Sequence, residues 1–159
     1  MHYLVRLIVK ADNVDEANNQ ADSVMMDLVE WREFDWFHTS ADGSRWPDCW
    51  KPVHLSTKKG RDMAQDAMKG QLAEFSQAIA TIRLMLEQYS DEQIFNEDFK
   101  QDIARHYLSR YQFSRASGYH GNTCQLYDTD GCAITSQREL DLLLKDTKDL
   151  WVVQVDCHN

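Results

Sequence analysis

Closely spaced cysteines are missing from this chain. Its four cysteines, Cys49, Cys124, Cys132 and Cys157, are scattered with no C-x-x-C pair. That excludes a dithiol redox motif and makes free reduced thiols the expectation. Proline is scarce, at two residues, while 43% of the chain is apolar, so an ordinary globular core is expected rather than disorder. No apolar run approaches the ~20 residues that cross a bilayer. Met1 leads into a strand-like stretch with no basic leader or small-residue cleavage site, so a cytoplasmic protein without membrane contact is expected. Positive charge is in deficit: 17 Lys and Arg stand against 26 Asp and Glu, a net charge of −9. A field of that sign repels phosphate and argues against non-specific binding to bulk DNA.

What is present is periodicity. A chain of 159 residues predicts one domain, 1–159, able to bury roughly two thirds of its unfolded surface. Residues 3–10 read as a strand, with Tyr3, Val5, Leu7 and Val9 on an apolar face and Leu4, Arg6, Ile8 and Lys10 on a mixed one. Asn13 with Glu16 offers a helix cap, after which Val14, Ala17, Ala21, Val24, Leu28 and Trp31 recur at helical spacing. Residues 33–39 supply a second strand, so 1–40 forms a βαβ unit. The far end, 122–157, repeats the plan. It has a strand over 123–127, a turn over 128–131, a helix opened by the capping box of Ser136 and Glu139, and a strand over 150–156 with Trp151, Val153 and Val155 on its apolar face. Two such units around one sheet predict an α+β fold of ferredoxin-like, split βαβ topology.

Between the halves, residues 56–112 predict a helical-hairpin insertion. Met68, Leu72, Phe75, Ile79, Ile82, Leu86 and Tyr89 alternate steps of four and three, the a/d pattern of a helix packed along another helix. Ser90 with Gln93 caps a second helix carrying Phe95, Phe99, Ile103, Tyr107 and Tyr111. The first helix is the longer, so its overhang must pack either on the open face of the sheet or on another copy of the chain, and a homodimer is one expectation.

Charge and aromatic rings supply the candidate binding residues. Arg45, Lys51, Lys58, Lys59 and Arg61 face only Asp48 within 44–61, and Arg105, Arg110 and Arg115 face no acidic residue within 103–127. Trp46, Trp50, His54 and His106 lie among them. A helix start beside such groups suits an anion, and interleaved rings suit a nucleotide or single-stranded nucleic acid. The candidate ligand site is therefore Arg45, Trp46, Trp50, His54, Lys58, Lys59, Arg61, Arg105, Arg110 and Arg115. The bland reading, charge balance and loop filling, stands beside it.

No catalytic constellation stands out, and neither a cofactor nor a metal set is expected. The triplets His38-Thr39-Ser40 and His54-Leu55-Ser56 resemble the paired H-x-S/T triplets of two-histidine phosphodiesterases, which would imply facing histidines as acid and base; in that family the triplets come from distant strands, whereas here they are close in the chain. His120, Cys124, Cys132, Cys157 and His158 lack the ligand pairs that mark zinc sites. Asp128, Asp130 and Glu139 sit at positions of a calcium loop, but an ordinary turn followed by a helix cap accounts for them better. The composition therefore predicts a non-enzymatic interaction protein, which binds a protein partner or its own copy through the hairpin and an acidic surface, in the manner of a phage-type inhibitor or regulator. The alternative is a domain for a nucleotide, phosphate ligand or single-stranded nucleic acid, including a phosphodiesterase-like enzyme.

Overall fold

The computed structural model describes residues 2–98, 112–113, 116 and 124–159. Two strands form its spine: β1 (His2–Lys10) and β5 (Leu150–His158) pair antiparallel along their whole length, from His2 opposite His158 to Lys10 opposite Leu150. Three two-residue strands complete a five-stranded sheet. β2 (Trp36–Phe37) and β3 (Val53–His54) both pair antiparallel with the outer edge of β5, while β4 (Leu126–Tyr127) runs parallel to the free edge of β1. The sheet is mixed, in the order β2-β5-β1-β4.

The two faces of the sheet follow from strand alternation. Val5, Leu7 and Val9 of β1 and Val153, Val155 and Cys157 of β5 point to one side. There they are covered by α1 (Val14–Glu30) through Ala17, Ala21, Val24, Met25 and Leu28. Full burial of each such valine or leucine is worth roughly 1.5–3 kcal/mol. Ile8 and Val152 point to the other side, where Leu55, Ala64, Ala67 and Met68 meet Leu126, Ile134 and Leu140. Leu140 belongs to α4 (Gln137–Leu143), while Ala64, Ala67 and Met68 belong to the first half of α2 (Lys58–Gln88). A short α3 (Asp91–Asn96) follows.

Local chemistry fixes the ends of these helices. Asn13 accepts from Glu16 N–H, but Glu16 returns its carboxylate to Asp12 N–H, so the reciprocal box is displaced by one residue. Ser90 with Gln93 and Ser136 with Glu139 form complete capping boxes. Thr57 Oγ1 accepts from Gly60 N–H at 3.1 Å and starts α2. Gly60 is needed there, because a side-chain carbon would collide with the His54 carbonyl. Asp128 Oδ1 accepts from both Asp130 and Cys132 N–H, which makes 128–131 an ordinary turn.

The chain falls into two compact units, Met1–Gly70 with Tyr119–Asn159, and Gln71–Gly118. α2 runs through the boundary in sequence. Along it the buried residues are Gly60, Ala64, Ala67, Met68, Gln71, Ala78, Ile82 and Met85; of the expected seam, Met68 and Ile82 are thus buried and Ile79 and Tyr89 half-buried, whereas Leu72, Phe75 and Leu86 are exposed. Ala67, Gln71, Ala78 and Met85 each lie one residue, about 100°, before an expected position, so the helix buries the expected seam only in part. Small side chains line its first half because glycine and alanine let a helix lie close against what it covers.

The α+β class stands, but the doubled split βαβ plan is not reproduced in the strand directions. β1 and β2 are parallel with β5 between them, as a split βαβ unit requires. In the second unit β4 is parallel to β1 while β5 is antiparallel to it, so β4 and β5 oppose each other. The helix after Ser90 ends at Asn96, with Glu97 in the left-handed region at φ 55°. The rest of the expected second helix, including Phe99, Ile103, Tyr107 and Tyr111, lies outside the described residues.

Candidate functional site

Strand register brings three groups together at one end of the sheet. His2 opens β1, His38 follows β2, and Asp156 sits near the end of β5. Because β1 and β5 pair antiparallel with Leu4 opposite Asp156, His2 is the diagonal neighbour of Asp156 on the same face. The Phe37–Cys157 pairing continues one step to place His38 across from Asp156, its N–H donating to the Asp156 carbonyl at 2.9 Å.

The Asp156 carboxylate is fully buried, whereas the His2 and His38 side chains keep 32% and 22% of their exposure. Oδ1 lies 2.8 Å from His2 Nδ1; Oδ2 accepts from Arg45 N–H at 2.6 Å and lies 3.8 Å from His38 Nε2. The donor atoms of His2, His38 and Asp156 all fall within 4.8 Å of one another. Aromatic rings wall the cluster. Trp36 stacks on His158 at 5.2 Å and sets its edge to His38 at 4.8 Å, while the His2 and His38 rings lie 6.0 Å apart and nearly parallel. Trp50 takes a left-handed backbone, φ 58°, which bulky residues avoid. Its indole N–H donates to the His38 carbonyl at 2.5 Å and its backbone N–H to the Gln154 carbonyl at 3.0 Å, which fixes the loop over this face.

Arg45 and Trp50 serve the cluster, through a backbone N–H and an indole N–H; the other described residues of the sequence-derived ligand set are engaged elsewhere. Lys51 and Lys59 both pair with Asp48, at 3.1 and 3.5 Å, and Lys58 pairs with Asp62. These pairs depress the Asp48 carboxyl, chiefly through Lys51, and raise Lys58, chiefly through Asp62. Trp46 is half-buried, and Arg61 is exposed on the first turn of α2. His54 Nδ1 meets Ser56 Oγ at 2.7 Å and Nε2 meets the Lys148 carbonyl at 2.9 Å, so both ring nitrogens are engaged away from His38. Arg105, Arg110, Arg115 and His106 lie outside the described residues.

The thiols offer no activated nucleophile among the described residues. Cys49, Cys124 and Cys157 are buried, and desolvation raises all three, Cys124 to about 11. Cys132 is exposed, but the Asp128 carboxylate, followed by burial and Asp130, raises its pKa as well. A cavity of about 370 Å³ beside it is lined by Leu28, Trp31, Tyr127 and Ala133, where burial holds the Tyr127 hydroxyl protonated.

Sequence reasoning took His38 only as a strand residue or half of a triplet, and passed over His2 and Asp156. The signal existed in principle: pairing the two long terminal strands end to end makes residues 2 and 156 diagonal neighbours.

A mixed α+β domain with a histidine–carboxylate cluster at one sheet end is the class that fold and site define. The chain belongs to the family described as "Domain of unknown function (DUF7995)", whose model matches residues 1–159. No curated protein and no solved structure matches it.

Proposed function

We propose that this protein acts by binding rather than by catalysis, and that α2 presents the binding face to a second copy of the chain. The observation that carries the reading is the exposed heptad face: Leu72, Phe75 and Leu86 are 62%, 43% and 56% exposed on one helix. Leucine and phenylalanine recurring at a/d spacing form a seam for another helix, and exposed apolar patches mark interaction surfaces. The only charged residues from 71 to 88 are Glu74, Arg83 and Glu87, so a net charge of −9 does not keep two copies apart at this face. A cytoplasmic location, where the free thiols stay reduced, belongs to the same reading.

An acidic surface that docks on a basic partner, as phage-type inhibitors do, is the heterologous form of the proposal. The anion-ligand alternative has weaker support, since Lys51, Lys58 and Lys59 are each matched to an aspartate. Sedimentation equilibrium tests the proposal. A species of twice 18.6 kDa is expected at micromolar concentration, with conversion to monomer by L72E/F75E. A wild-type monomer at every concentration would sink it.

A further inference from the structure

We propose that His2, His38 and Asp156 form a binding site for a divalent first-row transition-metal ion of the zinc or cobalt type. A fully buried carboxylate is costly without compensation. Among the described residues no lysine or arginine side chain pairs with Asp156; its partners are two imidazoles and the Arg45 N–H. A cation between the imidazoles and the carboxylate neutralises that charge while keeping both histidines as ligands.

Geometry supports the same assignment. Zinc takes nitrogen and oxygen ligands at roughly 2.0–2.2 Å, which sets neighbouring donor atoms about 3–3.5 Å apart. The donor atoms here lie within 4.8 Å, so binding requires the direct His2–Asp156 contact to open and the His38 ring to move inward. Both imidazoles are partly exposed and can rotate, while Asp156 is anchored by the 2.6 Å bond from Arg45 N–H. That bond is the kind of outer contact that orients a metal-bound carboxylate. Gly43, at φ +82°, lies against the His38 ring, where an added side-chain carbon would come within 3.5 Å of Cε1.

Donor chemistry sets the ion class. Two imidazoles and one carboxylate suit zinc, cobalt, nickel, copper or iron, whereas calcium and magnesium require oxygen-rich shells. Three protein donors leave positions open to water or a further ligand. Trp36, edge-on to His38, makes one wall of the site apolar.

Isothermal titration of the full chain with zinc, then cobalt, tests the site. One ion per chain is expected, with magnesium producing no saturable heat. His38→Ala should weaken zinc binding by at least the 10–100-fold typical of lost supporting contacts at metal sites. His54→Ala, at a histidine engaged with Ser56 and Lys148, should leave it unchanged. The absence of a saturable isotherm, or equal losses in the two variants, would overturn the proposal. If His38→Ala fails to fold, paramagnetic resonance of the copper(II)-loaded wild type decides the matter. Coupling to two imidazole nitrogens supports the site, and coupling to one or none refutes it.

Discussion

Among the described residues Asp156 is the most deeply buried polar side chain. Its oxygens take His2 and the Arg45 N–H, and its backbone carbonyl takes the His38 N–H. Replacing it with alanine leaves the Arg45 N–H without its acceptor, and Asp156→Ala should cost about 2 kcal/mol in chemical denaturation. A loss below about 0.5 kcal/mol would mean that water replaces the carboxylate freely. Cys132 gives a second residue-scale test. Nearby Asp128 raises its thiol above the ordinary value of 9.0, so the reactive thiolate is scarcer than in a free cysteine at pH 8 and increases as pH rises. With the other three thiols buried, Ellman's reagent should modify one cysteine per chain quickly, and that one slowly relative to free cysteine. Asp128→Asn keeps an oxygen acceptor for the turn, removes the charge and should accelerate the reaction.

At the scale of the element, α2 shows where packing overrides propensity. In an open helix Gly→Ala gains about 1 kcal/mol. At Gly60 the new carbon would meet the His54 carbonyl group and the Leu55 backbone, none of which is a flexible side-chain tip. Gly60→Ala should therefore destabilise, by roughly 1–3 kcal/mol, and a raised melting temperature would refute the close approach. α4 depends on its cap. Ser136→Ala should cost about 1 kcal/mol. The Glu139 carboxyl is lowered first by the Thr135 N–H and then by the Ser136 N–H. A lowered folded pKa means that its contribution is present above the unshifted value of 4.5 and is lost as pH falls through the folded value. Glu139→Gln should flatten that part of the stability profile.

For the whole molecule, the contrast between net charge and the α2 face gives the prediction. A chain of charge −9 and isoelectric point near 5.0 repels its own copies, whereas the Leu72–Phe75–Leu86 face is apolar. Association through that face should strengthen with added salt, because the Debye length falls from about 10 Å at 0.1 M toward 3 Å at 1 M. Sedimentation across that range checks it. Association that weakens with salt would point to charge pairing instead.

Much of the fold was legible in sequence because it rests on local periodicity. Alternation in 3–10 and 150–156, the Asn13, Ser90 and Ser136 caps and the turn at Asp128 all depend on residues a few positions apart, and all appear in the structure. The α+β class follows from them. Tertiary structure decided the rest. A heptad pattern shows that a helix has an apolar stripe but not which side the sheet approaches, and the small residues Gly60, Ala64 and Ala67 won the close contact while Leu72 and Phe75 stayed outside. Of the lysine pairs, Lys51–Asp48 and Lys58–Asp62 are local, Asp62 lying one residue beyond the basic stretch 44–61, whereas Lys59–Asp48 depends on side-chain reach across a loop. The cluster of His2, His38 and Asp156 depends on strand register over almost the full length of the chain. Sequence determined which residues could line a strand; only the pairing of the last strand with the first and with β2 determined that these three would meet.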